Sequence, residues 1–145
     1  MRVTIDASVA VKWLVDEPNR ERARQMLAPG IERHAPDLLP VECVSAICKK
    51  ARRGEIGAAA PFVDEITRFW TVIRLHASRT LLRVAAEAAL RTGHPVYDCL
   101  YIACASTTGS VLVTADRRLA EVVSHRVPGV EAVMLADDSE MVWRM

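Results

Sequence analysis

Aromatic residues are scarce in this chain of 145 residues, because Phe, Trp and Tyr together make up only 5% of it. No apolar run reaches the roughly 18 residues of a membrane-spanning helix, so no association with a membrane is expected. Charge of one sign is not in excess either, since the chain has 19 Lys and Arg and 18 Asp and Glu. We therefore expect an aliphatic core, and any binding of a polyanion has to come from local basic patches.

The four cysteines form no C-x-x-C pair. Cys43 and Cys48 are five residues apart, as are Cys99 and Cys104, and this spacing is typical of neither a zinc ribbon nor a redox motif. All four lie in apolar, helix-like segments, which predicts buried thiols in a reducing compartment. The first residues contain no apolar signal region, so the cytoplasm is the expected location.

Short apolar strands alternate with helical patterns along the chain. The hydrophobic periodicity predicts helices at 8–15, 18–27, 38–53, 58–70, 81–91, 97–107 and 117–124. It predicts strands at 2–6, 33–35, 71–75, 110–114 and 130–135. Because these strands are continuously apolar, we predict an α/β fold, a short parallel sheet with helices on both faces. A chain of this length is expected to form a single domain over residues 1–145, and the role of its acidic stretch at 137–140 stays open.

Four acidic residues fall at one predicted edge of this sheet. Asp6 ends the first strand, Asp116 follows the fourth strand, and Glu42 and Asp98 lie in the first turns of helices. Open α/β sheets bind ligands beyond the carboxyl ends of their strands. Carboxylates in such apolar segments have to be paired, hydrogen-bonded or metal-bound. If the four converge, their repulsion requires a cation, and oxygen ligands suit Mg²⁺ or Mn²⁺.

Helix capping is the competing explanation for each acid. All four lie near predicted helix N-termini, where a carboxylate accepts hydrogen bonds from free backbone N–H groups and meets a favourable dipole. For a single acid capping is sufficient, and Asp116 has the strongest explanation of this kind. Capping does not predict that several caps share one edge of the sheet.

Other functional classes are disfavoured by single residues. A phosphatase of the haloacid-dehalogenase type requires D-x-D, but position 8 is Ser. A receiver domain requires a late lysine, and no lysine follows Lys50. A metal-dependent adhesion site reads D-x-S-x-S, and position 10 is Ala.

Four segments, in this order, resemble the PIN-domain ribonucleases, and in particular the VapC-type toxins of bacterial toxin–antitoxin pairs. They are residues 5–9 (IDASV), 40–42 (PVE, with Lys50 and Arg53-Gly54 downstream), 97–103 (YDCLYIA) and 112–116 (LVTAD). Each segment alone is weak, but together they span nearly the whole chain. The resemblance implies a PIN-like three-layer sandwich and an endoribonuclease that hydrolyses RNA phosphodiester bonds with Mg²⁺ or Mn²⁺.

The resemblance also assigns roles to individual residues. The acids implied as catalytic and metal-binding are Asp6, Glu42, Asp98 and Asp116. Ser8 and Thr114 are implied as supporting hydroxyls. Arg117 and Arg118 adjoin the fourth acid and are expected to bind RNA phosphates, although Arg117 stands where some family members carry another acid.

The partners implied by the resemblance are an RNA substrate, a small cognate antitoxin protein and a second copy of the chain in a homodimer. Two alternatives stay open within the same fold. One is a housekeeping PIN nuclease that is not a toxin, and the other is a catalytically silent PIN-like binding module.

Overall fold

The computed structural model describes residues 1–136, and within them a five-stranded sheet forms the centre of the fold. Its strands are β1 (Arg2–Ile5), β2 (Glu32–Pro36), β3 (Arg74–His76), β4 (Val111–Thr114) and β5 (Ala132–Met134). Their order across the sheet is β3-β2-β1-β4-β5, and every neighbouring pair is parallel. The predicted α/β class with a parallel sheet is confirmed. The acidic stretch at 137–140 lies outside the described residues.

Helices connect the strands. They are α1 (Ala7–Ala10), α2 (Arg20–Gln25), α3 (Leu39–Arg52), α4 (Ala60–Ile66), α5 (Ser78–Thr92), α6 (Val96–Thr108) and α7 (Arg117–Arg126). The chain runs from β1 toward β3 in one direction and from β4 to β5 in the other, so right-handed crossovers place α1–α4 on one face and α5–α7 on the opposite face. Over residues 1–136, none of these helices has the length and apolar character needed to cross a membrane.

Three predicted boundaries are wrong. The helix predicted at 8–15 is the short α1 followed by a 3₁₀ turn at Val11–Trp13. The helix predicted at 58–70 ends at Ile66, and the strand predicted at 71–75 begins at Arg74, because Phe69–Thr71 form a second 3₁₀ turn. The ring of Phe69 packs edge-on against Trp13, with centroids 5.6 Å apart. This contact between distant segments anchors both turns, and local periodicity does not report it.

Successive side chains of each strand point to opposite faces of the sheet, as the pleat requires. Val3 and Ile5 are fully buried on one face of β1, whereas Thr4 points to the other face and shares a 2.6 Å hydrogen bond with Ser110. Helix α6 is buried over residues 99–105, so it forms a rigid layer against the sheet. Cys43, Cys99 and Cys104 are buried as predicted, and Cys48 is half-buried. Burial raises the pKa of Cys104 to about 11, which leaves this thiol protonated and unreactive.

The strand order creates a crevice between β1 and β4. The chain leaves β1 toward β2 and leaves β4 toward β5, so the two following loops diverge at the carboxyl end of the sheet. Asp6 follows β1 directly, and Asp116 lies two residues after β4. Because α6 leads into β4 through a short connection, its C-terminus lies at the amino end of the sheet. Its N-terminal turn, with Asp98, therefore lies at the crevice.

A histidine pair lies toward the β3 edge of the sheet. His34 is 3% exposed, and its Nδ1 lies 2.9 Å from Nε2 of His76 with the two rings stacked. Burial lowers the pKa of His34 below its ordinary value, and the nearby charges of His76 and Arg74 lower it further, against the attraction of Glu32. The folded protein therefore resists protonation of His34.

We expect the free energy of unfolding to fall as the pH drops below about 6.5, because the unfolded chain takes up a proton at His34 that the folded chain resists. Urea unfolding of the wild type and of His34→Gln at pH 7.5, 6.5 and 5.5 measures this effect. All other titrating groups are common to both proteins, so the difference between the two profiles isolates His34. Parallel profiles would contradict the assignment.

Candidate functional site

Asp6 is the most deeply buried acid of the crevice, with 8% of its surface exposed. Its Oδ2 accepts hydrogen bonds from the hydroxyls of Ser8 (2.6 Å) and Thr114 (2.7 Å). Ser8 lies in α1 and Thr114 ends β4, so the two donors reach the carboxylate from the two strands that border the crevice. The two hydroxyls assigned supporting roles from the sequence thus both contact Asp6.

Backbone amides fix the direction of these hydroxyls. The N–H of Ala115 donates to Ser8 Oγ and the N–H of Asp116 donates to Thr114 Oγ1, each at 3.0 Å. Each hydroxyl therefore accepts from the backbone and directs its own proton at Asp6. Burial raises the pKa of Asp6 and the charge of Asp98 adds to the rise, while the two hydroxyl bonds oppose it.

Glu42 is held by a buried tyrosine. It lies half-buried in the first turn of α3, and its Oε1 accepts a 2.6 Å hydrogen bond from the hydroxyl of Tyr101, which is 1% exposed. Burial raises the pKa of Glu42, and the charges of Asp6 and Asp98 raise it further, against the bond from Tyr101. Burial and the neighbouring carboxylates raise the pKa of Tyr101 well above its usual range, so this hydroxyl stays protonated and donates.

Asp98 completes a cluster of three mutually repelling carboxylates. It lies half-buried in the first turn of α6, and its charge raises the pKa of both Asp6 and Glu42. Its Oδ2 lies 3.5 Å from Nδ1 of His94, which lies in the loop between α5 and α6. The structure thus brings together Asp6, Glu42 and Asp98 from three different elements.

Asp116 behaves differently from these three acids. Its side chain is exposed, and its Oδ1 accepts hydrogen bonds from the N–H groups of Arg118 (3.0 Å) and Leu119 (3.2 Å) at the start of α7. Asp6 occupies the corresponding position before α1, but its side chain makes no capping hydrogen bond. Capping therefore accounts for the observed orientation of Asp116 and does not account for that of Asp6.

In the described part of the chain, no lysine or arginine side chain pairs with the three clustered acids. None of the ion pairs within residues 1–136 joins a lysine or an arginine to Asp6, Glu42 or Asp98. In the same part of the chain, no group of three or more His, Cys, Asp or Glu side chains stands ready-made around one metal position. The donor set nevertheless fits a hard divalent cation, because its ligands are carboxylate oxygens whose repulsion such a cation relieves.

Sequence reasoning gave no role to Tyr101 at this cluster. For His94 it favoured a loop histidine over a catalytic one, and His94 does lie in a loop, where it faces Asp98. Spacing was the available signal, since Tyr101 follows Asp98 by three positions on one helix and therefore shares its face. No local pattern reports that Glu42, on another helix, lies opposite Tyr101.

Comparison with known protein families identifies the family of this chain. The model of the PIN domain matches residues 3–124. This chain belongs to the PIN domain family. The family resemblance recognised in the four sequence segments is thereby confirmed.

One curated relative and two solved structures illustrate the similarity to other PIN-domain proteins. Ribonuclease VapC3 of Pyrobaculum aerophilum is 33% identical over 123 residues, which cover 83% of this chain and 94% of that protein. VapC20 of Mycobacterium tuberculosis, described as a sarcin–ricin loop cleaving toxin, superposes with a TM-score of 0.65 at 17% identity, covering 86% of this chain and 96% of that chain. A toxin–antitoxin complex from Klebsiella pneumoniae gives a TM-score of 0.59 at 10% identity, covering 93% and 98%. At these identities the two structures support the fold alone.

We expect Asp6→Asn to stabilise the metal-free protein, because a raised carboxyl pKa means that the ionised form is disfavoured in the folded state. The amide oxygen of Asn retains an acceptor for Ser8 and Thr114. Urea unfolding at pH 7.5 in the presence of a chelator measures the change.

Asp116→Ala is the control for that measurement and should shift stability the other way. It removes the N-cap of α7, and the loss of such a cap costs about 1 kcal/mol. Destabilisation by Asp6→Asn would show that this carboxylate is not under the electrostatic strain inferred from its burial.

Proposed function

We propose that this PIN-domain protein is a metal-dependent endoribonuclease that hydrolyses RNA phosphodiester bonds. The observation that carries the proposal is the cluster of Asp6, Glu42 and Asp98 at the crevice, three carboxylates that no lysine or arginine of residues 1–136 pairs with. The curated relative named a ribonuclease supports RNA as the substrate class. The crevice lies at the carboxyl ends of β1 and β4, where open α/β sheets bind their ligands.

The residues that would hold Mg²⁺ or Mn²⁺ are Asp6 and Asp98, with Glu42 beside them. When bound, such a cation lowers the pKa of a coordinated water and neutralises charge that develops on the phosphoryl oxygens. Ser8 and Thr114 keep the carboxylate of Asp6 in place through two hydrogen bonds. Tyr101 holds Oε1 of Glu42, so the other oxygen, Oε2, is left for the metal or for the attacking water.

Glu42 is the best placed proton acceptor. Its raised pKa brings it closer to neutral pH, which improves the match between a general base and the water it deprotonates. Asp116 is a more distant member of the set, because direct binding of a metal would compete with the two N–H groups that its Oδ1 caps. Asp116 would therefore contribute to the metal site without a direct bond to the cation.

Exposed basic residues next to the crevice would bind the RNA backbone. Arg117 and Arg118 begin α7 directly after Asp116, and both are exposed. Phosphate groups are also favoured at this position by the N-terminus of the helix. These two residues would orient the RNA without reading its sequence.

Asp98→Asn should abolish RNA cleavage in Mg²⁺ or Mn²⁺ while the protein stays folded, because it removes one charge from the proposed metal site. Cleavage of defined tRNA, rRNA and mRNA substrates over a titration of each metal, with and without a chelator, measures this. Asp64→Asn, on the exposed surface of α4, is the matched control and should cleave like the wild type. Equal cleavage in the chelator would rule out the metal, and full activity of Asp98→Asn would rule out the site.

The same reasoning extends to a toxin that is held inactive by a small antitoxin and acts as a homodimer. The name of the curated relative, a VapC ribonuclease, supports the toxin role, and the two structural neighbours, described as a toxin and a toxin–antitoxin complex, share the fold. The homodimer rests on the family resemblance alone. The proposal of metal-dependent RNA cleavage does not depend on this extension.

Expression of the wild type should arrest growth of a bacterial host, whereas Asp98→Asn should not, because arrest requires RNA cleavage. Co-expression of a small protein encoded beside this gene should restore growth. Growth curves and pull-down of the co-expressed pair are the measurements. No arrest by a protein that is active in vitro would identify a housekeeping nuclease instead of a toxin.

A further inference from the structure

His94 is buried without a hydrogen-bond partner for its ring. It is 8% exposed, and both Nδ1 and Nε2 are buried and unpartnered within the described part of the chain. A buried polar group without a partner destabilises the folded state, so a side chain that serves only packing would be better apolar. The position of this ring therefore requires another explanation.

The carboxylate of Asp98 is the charged group closest to this ring. Its Oδ2 lies 3.5 Å from Nδ1, which is near enough for an ion pair but longer than an ordinary hydrogen bond. The side chain of Asp98 accepts no hydrogen bond from any other group in residues 1–136. Two groups that each lack a partner thus face one another across a gap that a shift of less than an ångström would close.

Backbone contacts hold His94 in place beside Asp98. The N–H of His94 donates to Thr92 Oγ1 at 3.2 Å, and the carbonyl of His94 accepts from the thiol of Cys99 at 3.9 Å. Gly93 between the two helices has a φ of 74°, which favours glycine. The segment between α5 and α6 is therefore held at both ends. Catalytic hydrogen bonds are often long in the free protein and shorten when the ligand binds.

We infer that His94 is a positioning residue for metal binding: its Nδ1–H donates to Oδ2 of Asp98 and directs Oδ1 of that carboxylate toward the cation. This inference rests on the proposed function. It requires a proton on Nδ1, which the charged imidazole and the Nδ1–H tautomer of the neutral imidazole both carry. Removal of a group that hydrogen-bonds a metal ligand typically lowers the metal affinity by about 10–100-fold.

Calorimetric titration of the full chain with Mn²⁺ tests the inference. His94→Leu removes both ring nitrogens and should weaken Mn²⁺ binding by about 10–100-fold. His94→Asn places an amide N–H where Nδ1 lies and should restore most of the affinity. His125→Leu removes an exposed histidine of α7 and should bind Mn²⁺ like the wild type. The Mn²⁺ concentration for half-maximal RNA cleavage should follow the same order.

A purely structural role gives a different result. In that case His94→Leu and His94→Asn would change the melting temperature in chelator but leave the Mn²⁺ dissociation constant unchanged, and the inference would be overturned. If His94→Leu fails to fold, His94→Gln replaces it, because the longer side chain places its amide near Nε2, away from Asp98. Equal Mn²⁺ affinity of His94→Gln and His94→Asn would then overturn the inference.

Failure of the proposed function is distinguishable from failure of this inference. A wild type that binds no Mn²⁺ overturns the metal site, and the role of His94 falls with it. A wild type that binds Mn²⁺ no better than His94→Leu overturns the role of His94 alone.

Discussion

The structure depends on keeping the carboxylate of Asp6 at the carboxyl end of the central strand β1. Burial of this charge is unfavourable, and the hydroxyls of Ser8 and Thr114 offset the cost by donating to the same oxygen. Backbone N–H groups that follow β4 hold both hydroxyls in turn. The bonds that orient the proposed metal ligand therefore also join β1 to β4 across the crevice, so site and fold share one set of interactions.

The carboxylates around Asp6 repel one another, and packing of the core has to offset the cost of holding them together. Burial and the charge of Asp98 raise the pKa of Asp6, and the charges of Asp6 and Asp98 raise that of Glu42. Hydroxyl groups donate to Asp6 and Glu42, and a histidine ring lies 3.5 Å from Asp98. Helix α6 makes this arrangement stable, because it is buried almost all round and carries Asp98 and Tyr101 on one face. Local conflict of this kind, set into a well-packed core, is what a ligand-binding site is expected to show.

Much of the fold was predictable from local patterns, and the errors have physical causes. Apolar periodicity predicted the alternation of strands and helices and the parallel sheet, because both depend on which face each segment buries. It was wrong about the ends of α1, α4 and β3, where the contact between Trp13 and Phe69 overrides the helical pattern. At the second 3₁₀ turn Trp70 is 71% exposed, because the neighbouring Phe69 takes the inward position.

The sequence by itself determined which residues are candidates for the chemistry: Asp6, Glu42 and Asp98 lie in apolar segments that follow the order of a recognisable family. Only the tertiary structure decided how these acids are used. Thr114 reaches Asp6 across 108 positions of the chain, and Tyr101 reaches Glu42 across 59. Such contacts arise from strand order and helix packing, which local sequence patterns do not encode. The same packing left Asp116 as the cap of α7, a role that sequence reasoning had weighed against metal binding but had no means to decide.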